Sequence, residues 1–185
     1  MVFKLVAGKG FVEVRRVLVR AHMRPTYLRG LAAHAPAPGL LACLVPSIGA
    51  EMNQILHVHH FDSFDARDAG LRHWQQEDEM VAVSGGDACF LHPHPPEELL
   101  RDRSEVFIEA LECVRAAGGS PKGAPAFQPK HAAESPVYEW REYQLELGYN
   151  PIPKLREAFH AGLPSKVEAD PERRGEVAFM GYTDI

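Results

Sequence analysis

The sequence contains few cysteines and none in a paired motif. Cys43, Cys89 and Cys113 are the three cysteines among 185 residues, and no C-x-x-C pattern occurs. An odd, widely spaced set is typical of unpaired thiols in a reducing compartment rather than of a disulfide framework. We expect these thiols to be buried and inert, which is the commoner fate of a lone cysteine; the alternative is a redox role for one of them.

Two further absences exclude classes of function. No apolar run reaches the roughly 20 residues that a membrane-spanning helix needs, so no membrane span is predicted. The formal net charge is −5 and the pI is about 6.0, whereas nucleic-acid-binding domains usually carry a basic patch. No nucleic-acid partner is therefore expected. Hydrophobic residues make up 45% and charged residues 24%, which are ordinary values for one or two compact globular units.

No familiar catalytic signature occurs in the chain. The sequence lacks a G-x-S-x-G elbow, a Walker loop, a dinucleotide-binding fingerprint and an H-E-x-x-H motif. Neighbouring carboxylates at 77–79 and 97–98 would diverge on a helix, so they indicate solvated charges rather than an acid–base pair. We therefore predict no catalytic residue and no cofactor.

An internal repeat is the most informative feature of what is present. Residues 13–19 (EVRRVLV) and 139–145 (EWREYQL) share the pattern Glu, apolar, Arg, polar, apolar, any residue, apolar. The same offset superposes Pro25 on Pro151, and proline suits the first turn of a helix, where its missing N–H would be unpaired anyway. Each copy is therefore predicted to begin with a strand followed by a helix.

The first copy, residues 1–94, predicts a ferredoxin-like α+β unit. Apolar and β-branched runs predict strands at 11–20, 39–48, 52–61 and 87–94, with helices near 25–35 and 63–80. The resulting order is β-α-β-β-α-β. We expect a four-stranded antiparallel sheet with both helices on one face.

Residues 95–136 are predicted to connect the two copies. An amphipathic helix is expected first, because four apolar residues follow one another at spacings of seven, four and three, which place them on one helical stripe: Leu100, Phe107, Leu111 and Val114. We expect this stripe to be buried, with Gly118 and Gly119 ending the helix. Residues 118–136 are rich in proline and glycine, a composition typical of a linker.

The second copy, residues 137–185, is predicted to hold fewer elements than the first. Its pattern predicts a strand at 137–145, a helix at 151–162 and a strand at 175–183, so we expect a copy truncated after β-α-β. Three such elements do not enclose a core, since a small strand assembly is marginal in water. We expect cover from the first sheet, from a second chain or from further residues of a longer protein.

Two stretches of the sequence resemble the NIPSNAP family. Residues 49–70 (GAEMNQILHVHHFDSFDARDAG) are similar to a family pattern of Gly, Asn, apolar, His, aromatic, Ser and Arg, through Gly49, Asn53, His57, Phe61, Ser63 and Arg67. Residues 137–148 (VYEWREYQLELG) resemble a Tyr-Glu-apolar-Arg-x-Tyr-x-Leu opening, through Tyr138, Glu139, Arg141, Tyr143 and Leu145. The chain departs from the family at His59 and His60, where Trp and then Arg or Tyr are favoured, so we expect a more polar pocket.

The resemblance implies a fold, a function and candidate residues. The fold would be a dimeric α+β barrel of tandem ferredoxin-like units, formed within one chain or completed by a second chain in a homo-oligomer. The function would be non-enzymatic binding and recruitment of protein partners, linked to mitochondrial quality control and vesicular transport. A mitochondrial location is expected, with a cytoplasmic location as the alternative. The candidate cleft residues are Asn53, His57, His59, Phe61, Arg67, Tyr138, Arg141 and Tyr143.

The histidines keep a second function open. His57 and His59 are two apart on a predicted strand and so share a face, and His92 and His94 repeat this spacing. Two ligands are too few for a structural zinc site, so we predict no metal site and expect ordinary hydrogen-bonded or solvent-facing histidines. The alternative is a small-molecule or haem-binding barrel like the antibiotic-biosynthesis monooxygenases, with His57 or His59 as its polar group.

Overall fold

The computed structural model describes residues 10–33, 38–72, 99–118, 137–146, 151–169, 177 and 179–183. The chain divides into two compact units, Met1–Phe107 and Ile108–Ile185. Their boundary falls inside the segment 95–136 that the sequence predicts as a connection. No helix of the described residues is long and apolar enough to cross a membrane.

The first unit follows the predicted element order. Strand β1 (Phe11–Val19) leads through a short 3-10 turn (Ala21–Met23) into helix α1 (Arg24–Ala33), and strands β2 (Leu40–Leu44) and β3 (Gln54–Phe61) come next. Residues 64–72 are helical and form α2, and strand β4 (Leu99–Glu109) runs into the second unit. β1 is rich in valine and β3 contains Ile55, Val58 and Phe61, and β-branched and aromatic residues suit a pleated, half-buried surface. The predicted strands at 11–20, 39–48 and 52–61 are confirmed.

The strand order of the first unit is β2-β3-β1-β4. β3 pairs antiparallel with both β1 and β2, with a register shift in β2 between Leu40 and Ala42. Together with the order β-α-β-β-α-β, this arrangement defines a ferredoxin-like unit. The predicted α+β, ferredoxin-like fold class is confirmed.

The predicted helix over residues 100–117 is wrong for most of its length. Residues 99–109 form β4, and only Leu111–Ala116 form a helix, α3. Val114 is 0% exposed as predicted, but Leu100 is 52% exposed, so the four residues do not form one buried helical stripe. The spacing suits a helix locally, but pairing with β1 overrides it, because strand formation depends on neighbours distant in sequence. The predicted strand at 87–94 lies outside the described residues.

The second unit contains α3, helix α4 (Pro151–Ala169) and strand β5 (Gly181–Tyr182). β5 pairs antiparallel with Ile108 and Glu109 at the end of β4. The predicted helix at 151–162 is confirmed and extends to Ala169. The predicted strand at 137–145 is wrong, because residues 137–146 have no regular secondary structure. Within the predicted strand at 175–183, the described residues form a strand only at β5. A strand needs a partner edge for its backbone groups, which local sequence does not reveal.

Each unit has its own apolar cluster. In the first unit α1 packs Tyr27 against Val17, Val19 and Ile55 of the sheet. In the second unit Leu163 of α4 packs against Ala110, Cys113 and Ala117, around α3. Cys113 is a buried free thiol as expected, whereas Cys43 is exposed, so the expectation of burial is wrong there because Cys43 lies on β2 at the sheet edge. Cys89 lies outside the described residues.

Candidate functional site

Polar side chains cross the centre of the first unit's sheet in two rows. The register places His57 opposite Arg15 and His59 opposite Glu13. Because residues two apart on a strand point to the same face, all four side chains share one face. Glu13, His57 and His59 are 6%, 6% and 7% exposed, so the centre of this face is both polar and buried.

Glu13 is held by hydrogen bonds from two residues. Its carboxylate accepts hydrogen bonds from Nε and Nη2 of Arg67 on α2, at 2.6 and 2.8 Å, and a third from Oγ of Ser104 on β4. Burial opposes ionisation of Glu13, but the Arg67 and Ser104 hydrogen bonds outweigh it and lower the pKa of the carboxyl. Glu13 is therefore a fixed, ionised carboxylate at neutral pH.

Arg15 forms the second ion pair of the cluster. Its Nε lies 2.9 and 3.0 Å from the two carboxylate oxygens of Asp102 on β4, and its Nη2 also donates to Asp102. The hydrogen bond to Asp102 is the largest cause of the raised pKa of Arg15. Going along β1 from Glu13 to Arg15, the partner on β4 changes from Ser104 back to Asp102. The two neighbouring strands are therefore antiparallel.

His57 is a buried, neutral imidazole. Its Nε2 shares a hydrogen bond of 3.1 Å with the hydroxyl of Tyr27 on α1. Burial lowers the pKa of His57 to about 3, with smaller contributions from His59 and Arg15. Burial also raises the pKa of Tyr27. Both groups are thus uncharged over the physiological pH range.

His59 is oriented by the backbone. Its Nδ1 donates a hydrogen bond of 3.1 Å to the carbonyl oxygen of Pro38, which leaves the lone pair of the neutral ring on Nε2. Its ring stacks between His57 and Phe61, with centroids 6.1 and 5.9 Å away. Burial lowers the pKa of His59 despite the hydrogen bond to Pro38. The hydrogen bond and the stacking fix both the tautomer and the ring plane.

Pairs of apolar residues lie on either side of the two polar pairs, Glu13–His59 and Arg15–His57. Phe11 packs on Phe61 and on Phe64 of α2, with centroid distances of 5.7 and 4.4 Å. At the other end Val17 faces Ile55. The polar side chains described above thus lie in the middle of this face of the sheet, where Tyr27 of α1 and Arg67 of α2 contact them. Within the described part of the chain, no group of three or more His, Cys, Asp or Glu residues is arranged to hold a metal ion.

Four sequence-predicted residues come together in this cluster, namely His57, His59, Phe61 and Arg67. Asn53 precedes β3, and its carbonyl oxygen accepts a hydrogen bond from Val19 N at 3.2 Å. His92 and His94 lie outside the described residues. Sequence reasoning missed five members of the cluster: Glu13, Arg15, Tyr27, Asp102 and Ser104. Charged residues inside an otherwise valine-rich strand were the available signal for the first two.

The remaining candidates belong to the second unit. Tyr138 is half-buried, and burial raises its pKa. Arg141 is exposed and forms an ion pair with Glu139, with an Nε–Oε1 distance of 2.7 Å. Tyr143 is 56% exposed, and its ring centroid lies 5.9 Å from that of Phe159 on α4. The contacts of Arg141 and Tyr143 given above lie within the second unit.

The element order and strand order define an α+β protein with a ferredoxin-like unit, and several solved structures resemble part of it. Two NIPSNAP family proteins from Agrobacterium tumefaciens, one of them of unknown function, are each 19% identical, with TM-scores of 0.43 and 0.44. The likeness covers 55% and 54% of this chain and 88% and 85% of theirs.

A haem-degrading protein of Mycobacterium tuberculosis, solved with two haems in its active site, is 18% identical with a TM-score of 0.33, over 53% of this chain and 93% of its own. No family model matches the chain, and no curated protein matches it. At these identities and TM-scores the likenesses assign no function.

Proposed function

We propose that the chain is a non-enzymatic binding module that recruits protein partners. The supporting observation is the protonation state of the polar cluster. The pKa of Glu13 is lowered, the pKa of His57 is lowered to about 3 and that of Tyr27 is raised. General acid–base catalysis favours groups whose pKa lies near the working pH. Burial and pairing move these three groups away from neutrality, which suits a structural cluster better than a catalytic one.

A partner would need an exposed surface instead. The connection between β2 and β3, residues 45–53, carries three exposed apolar side chains: Val45 at 37%, Ile48 at 90% and Met52 at 59%. Exposed apolar surface commonly marks interaction sites, and these three side chains belong to one short connection. We therefore take this connection as the candidate partner contact. Assembly into a homo-oligomer or a two-chain barrel, and roles in mitochondria and vesicular transport, are further parts of this proposal that follow from the family resemblance.

The test is capture of the partner by the candidate surface. A photo-cross-linking residue placed at Ile48, and separately at Leu100 as the control, identifies the protein that contacts each position in cell extract. The captured partner is then purified and titrated against the variants. Ile48→Asp should weaken binding about tenfold or more, as truncating an interface hot spot does, whereas Leu100→Asp should not. Equal affinity of both variants would refute the assignment of the surface.

Haem or small-molecule binding is the second candidate function, and one observation favours it. The hydrogen bond from His59 Nδ1 to the carbonyl of Pro38 is the kind of contact that orients a metal-binding imidazole. No described residue bonds to His59 Nε2, whereas His57 Nε2 is engaged by Tyr27. His59 would therefore be the residue that holds the haem iron, and its lowered pKa keeps the imidazole in the neutral form that binds iron.

The two histidines supply a matched comparison for this candidate. Purified protein is titrated with haem while the Soret absorbance is followed. Under the haem hypothesis wild type and His57→Ala show a shifted, saturable Soret band, and His59→Ala loses it. Absence of the shift in wild type, or its retention in His59→Ala, would exclude His59 as the ligand and leave the recruitment proposal standing.

A further inference from the structure

A pocket of about 320 Å³ opens on the second unit and is lined by Glu112, Pro153, Arg156, Glu157 and His160. Glu112 comes from α3, and the other four come from α4. Spacings of three and four residues place side chains on one face of a helix, which explains why the α4 residues converge. The volume is at the lower end of the range found for small-molecule sites.

The hydrogen-bond donors at this pocket are already used. The guanidinium of Arg156 donates from Nε to Glu112 at 2.5 Å and from Nη1 to the hydroxyl of Tyr182 at 3.3 Å. Its central carbon also lies 4.9 Å from the centroid of the Tyr182 ring. Arg156 is therefore neutralised and oriented by the protein itself, so it is a poor site for an anionic ligand.

Two acceptors at the pocket, on His160 and Glu157, are not used by other described residues. His160 Nδ1 donates to the backbone carbonyl of Glu112 at 3.3 Å, so the lone pair of the neutral ring is on Nε2. Glu157 makes no hydrogen bond or ion pair with any residue that the structure describes. The pocket thus presents two carboxylates against one guanidinium, and its unused groups only accept hydrogen bonds.

We propose that this pocket binds a primary ammonium group, a function that goes beyond recruitment of a protein partner. An ammonium has three N–H donors and can reach the Glu157 carboxylate and His160 Nε2 together, because side chains three apart on a helix lie about 5–6 Å from each other. The ring of Pro153 offers an apolar wall for the attached alkyl chain. Both acceptors lie beyond the first turn of α4, where the helix dipole would oppose a cation.

A metal ion fits the pocket less well than an ammonium. Among the described residues, no three His, Cys, Asp or Glu side chains are placed to ligate one ion. The ammonium has two chemical sources, a free alkylamine and a lysine side chain. Both present the same headgroup, so n-butylammonium is the first probe, and Nα-acetyl-lysine methylamide is the second.

The test is an NMR titration of the isotopically labelled full chain with n-butylammonium. Saturable shifts are expected at the His160 ring and at nearby α4 amides, with a Kd on the order of millimolar because the contact is partly exposed. n-Butyltrimethylammonium carries the same charge without N–H donors, and it should bind at least about threefold more weakly. Glu157→Gln should weaken n-butylammonium binding by a similar factor.

Glu168→Gln is the matched control for Glu157→Gln. Glu168 is exposed on the same helix, and eleven residues of helical rise place it roughly 16 Å away, so its loss should leave the Kd unchanged. Shifts with n-butylammonium alone would identify a free amine as the ligand, and matching shifts with the lysine derivative would add a protein lysine. The proposal is overturned if wild type shows no saturable shift, if the trimethyl analogue binds equally well, or if zinc binds the same residues more tightly. None of these results bears on Ile48 or on partner capture.

Discussion

Arg67 and Glu13 are separated by 54 residues and form two parallel hydrogen bonds, from Nε to Oε2 at 2.6 Å and from Nη2 to Oε1 at 2.8 Å. The Glu13 side chain is 8% exposed and that of Arg67 is 28% exposed. Such a two-bond pair fixes geometry as well as charge. The pair links α2 to the central strand β1, and Arg67 is the cation that forms hydrogen bonds with the Glu13 carboxylate.

Replacing Arg67 by Met should destabilise the protein by about 2–3 kcal/mol. The change leaves a buried carboxylate with Ser104 as its remaining donor, and part of the cost is screened because Arg67 is partly exposed. Equilibrium urea unfolding measures the loss. Arg72→Met is the control, since Arg72 is exposed on the same helix and should change the unfolding free energy by less than about 0.5 kcal/mol. Equal losses would contradict a specific ion pair.

Stability should fall as the pH is lowered from about 6.5 towards 3, in part because of His57. In the unfolded chain this histidine binds a proton below about its ordinary value of 6.5, whereas in the folded chain its pKa is about 3. Protons therefore favour the unfolded state in this window, with a slope of at most about 1.4 kcal/mol per pH unit for one group. The lowered pKa of His59 acts in the same direction.

His57→Gln tests this pH dependence, because Gln keeps a polar group near Tyr27 but does not titrate. Urea unfolding of both proteins at pH 8, 6, 5 and 4 should show a shallower decline for the variant. A remaining decline is expected from His59 and from Glu13, whose lowered pKa contributes stability that is lost as the carboxyl becomes protonated in acid. Parallel curves for wild type and variant would show that His57 does not titrate as inferred.

Leu163→Ala should cost about 2–4 kcal/mol. Leu163 is 8% exposed in the cluster with Ala110, Cys113 and Ala117, and removing a packed leucine loses transfer free energy and opens a cavity. Leu100→Ala is the comparison, because its side chain is 52% exposed and its loss should cost less than about 0.5 kcal/mol. An equal loss of unfolding free energy for Leu100→Ala and Leu163→Ala would contradict the exposed position of Leu100.

Three glycines should respond differently to alanine. Gly39 has a φ of +69°, and a Cβ there would overlap the carbonyl oxygen of His60, so we expect a loss of at least about 2 kcal/mol. Gly49 has a φ of +81° with no atom within 4 Å of the added Cβ, so strain alone should cost about 1 kcal/mol. Gly162 lies inside α4 with open space around it, so alanine should stabilise the protein by about 0.5–1 kcal/mol. Thermal unfolding of the three variants gives the ranking, and any other order would contradict these backbone assignments.

The sequence predicts the parts of the fold whose signals are local. Alternation and β-branching identify β1 and β3, and a proline at the start of each helix marks α1 and α4. β4 is missed because its spacing of apolar residues also suits a helix, and the choice depends on pairing with β1 across the sheet. Residues 137–146 show the converse, since a strand-like pattern stays irregular among the described residues.

The candidate site is predictable to a similar extent. The histidine pair and Arg67 come from the motif, and the two-residue spacing correctly places His57 and His59 on one face. Their protonation states do not follow from sequence, because burial beneath α1 and the contacts with Tyr27 and Pro38 are set by tertiary packing. The same holds for Glu13, whose partners lie far from it in the chain.

The buried polar pairs Glu13–His59 and Arg15–His57 also favour one register between β1 and β3. Glu13 and Arg15 alternate with Val12 and Val14, which are at most 1% exposed on the opposite face. A slip of one residue would exchange the faces of every β1 side chain, so Glu13 would lose its donors and valine would face Arg67. Burying a carboxylate without partners costs several kcal/mol. The cluster therefore discriminates against mispaired strands as the sheet assembles, and this selectivity requires neither a ligand nor a reaction.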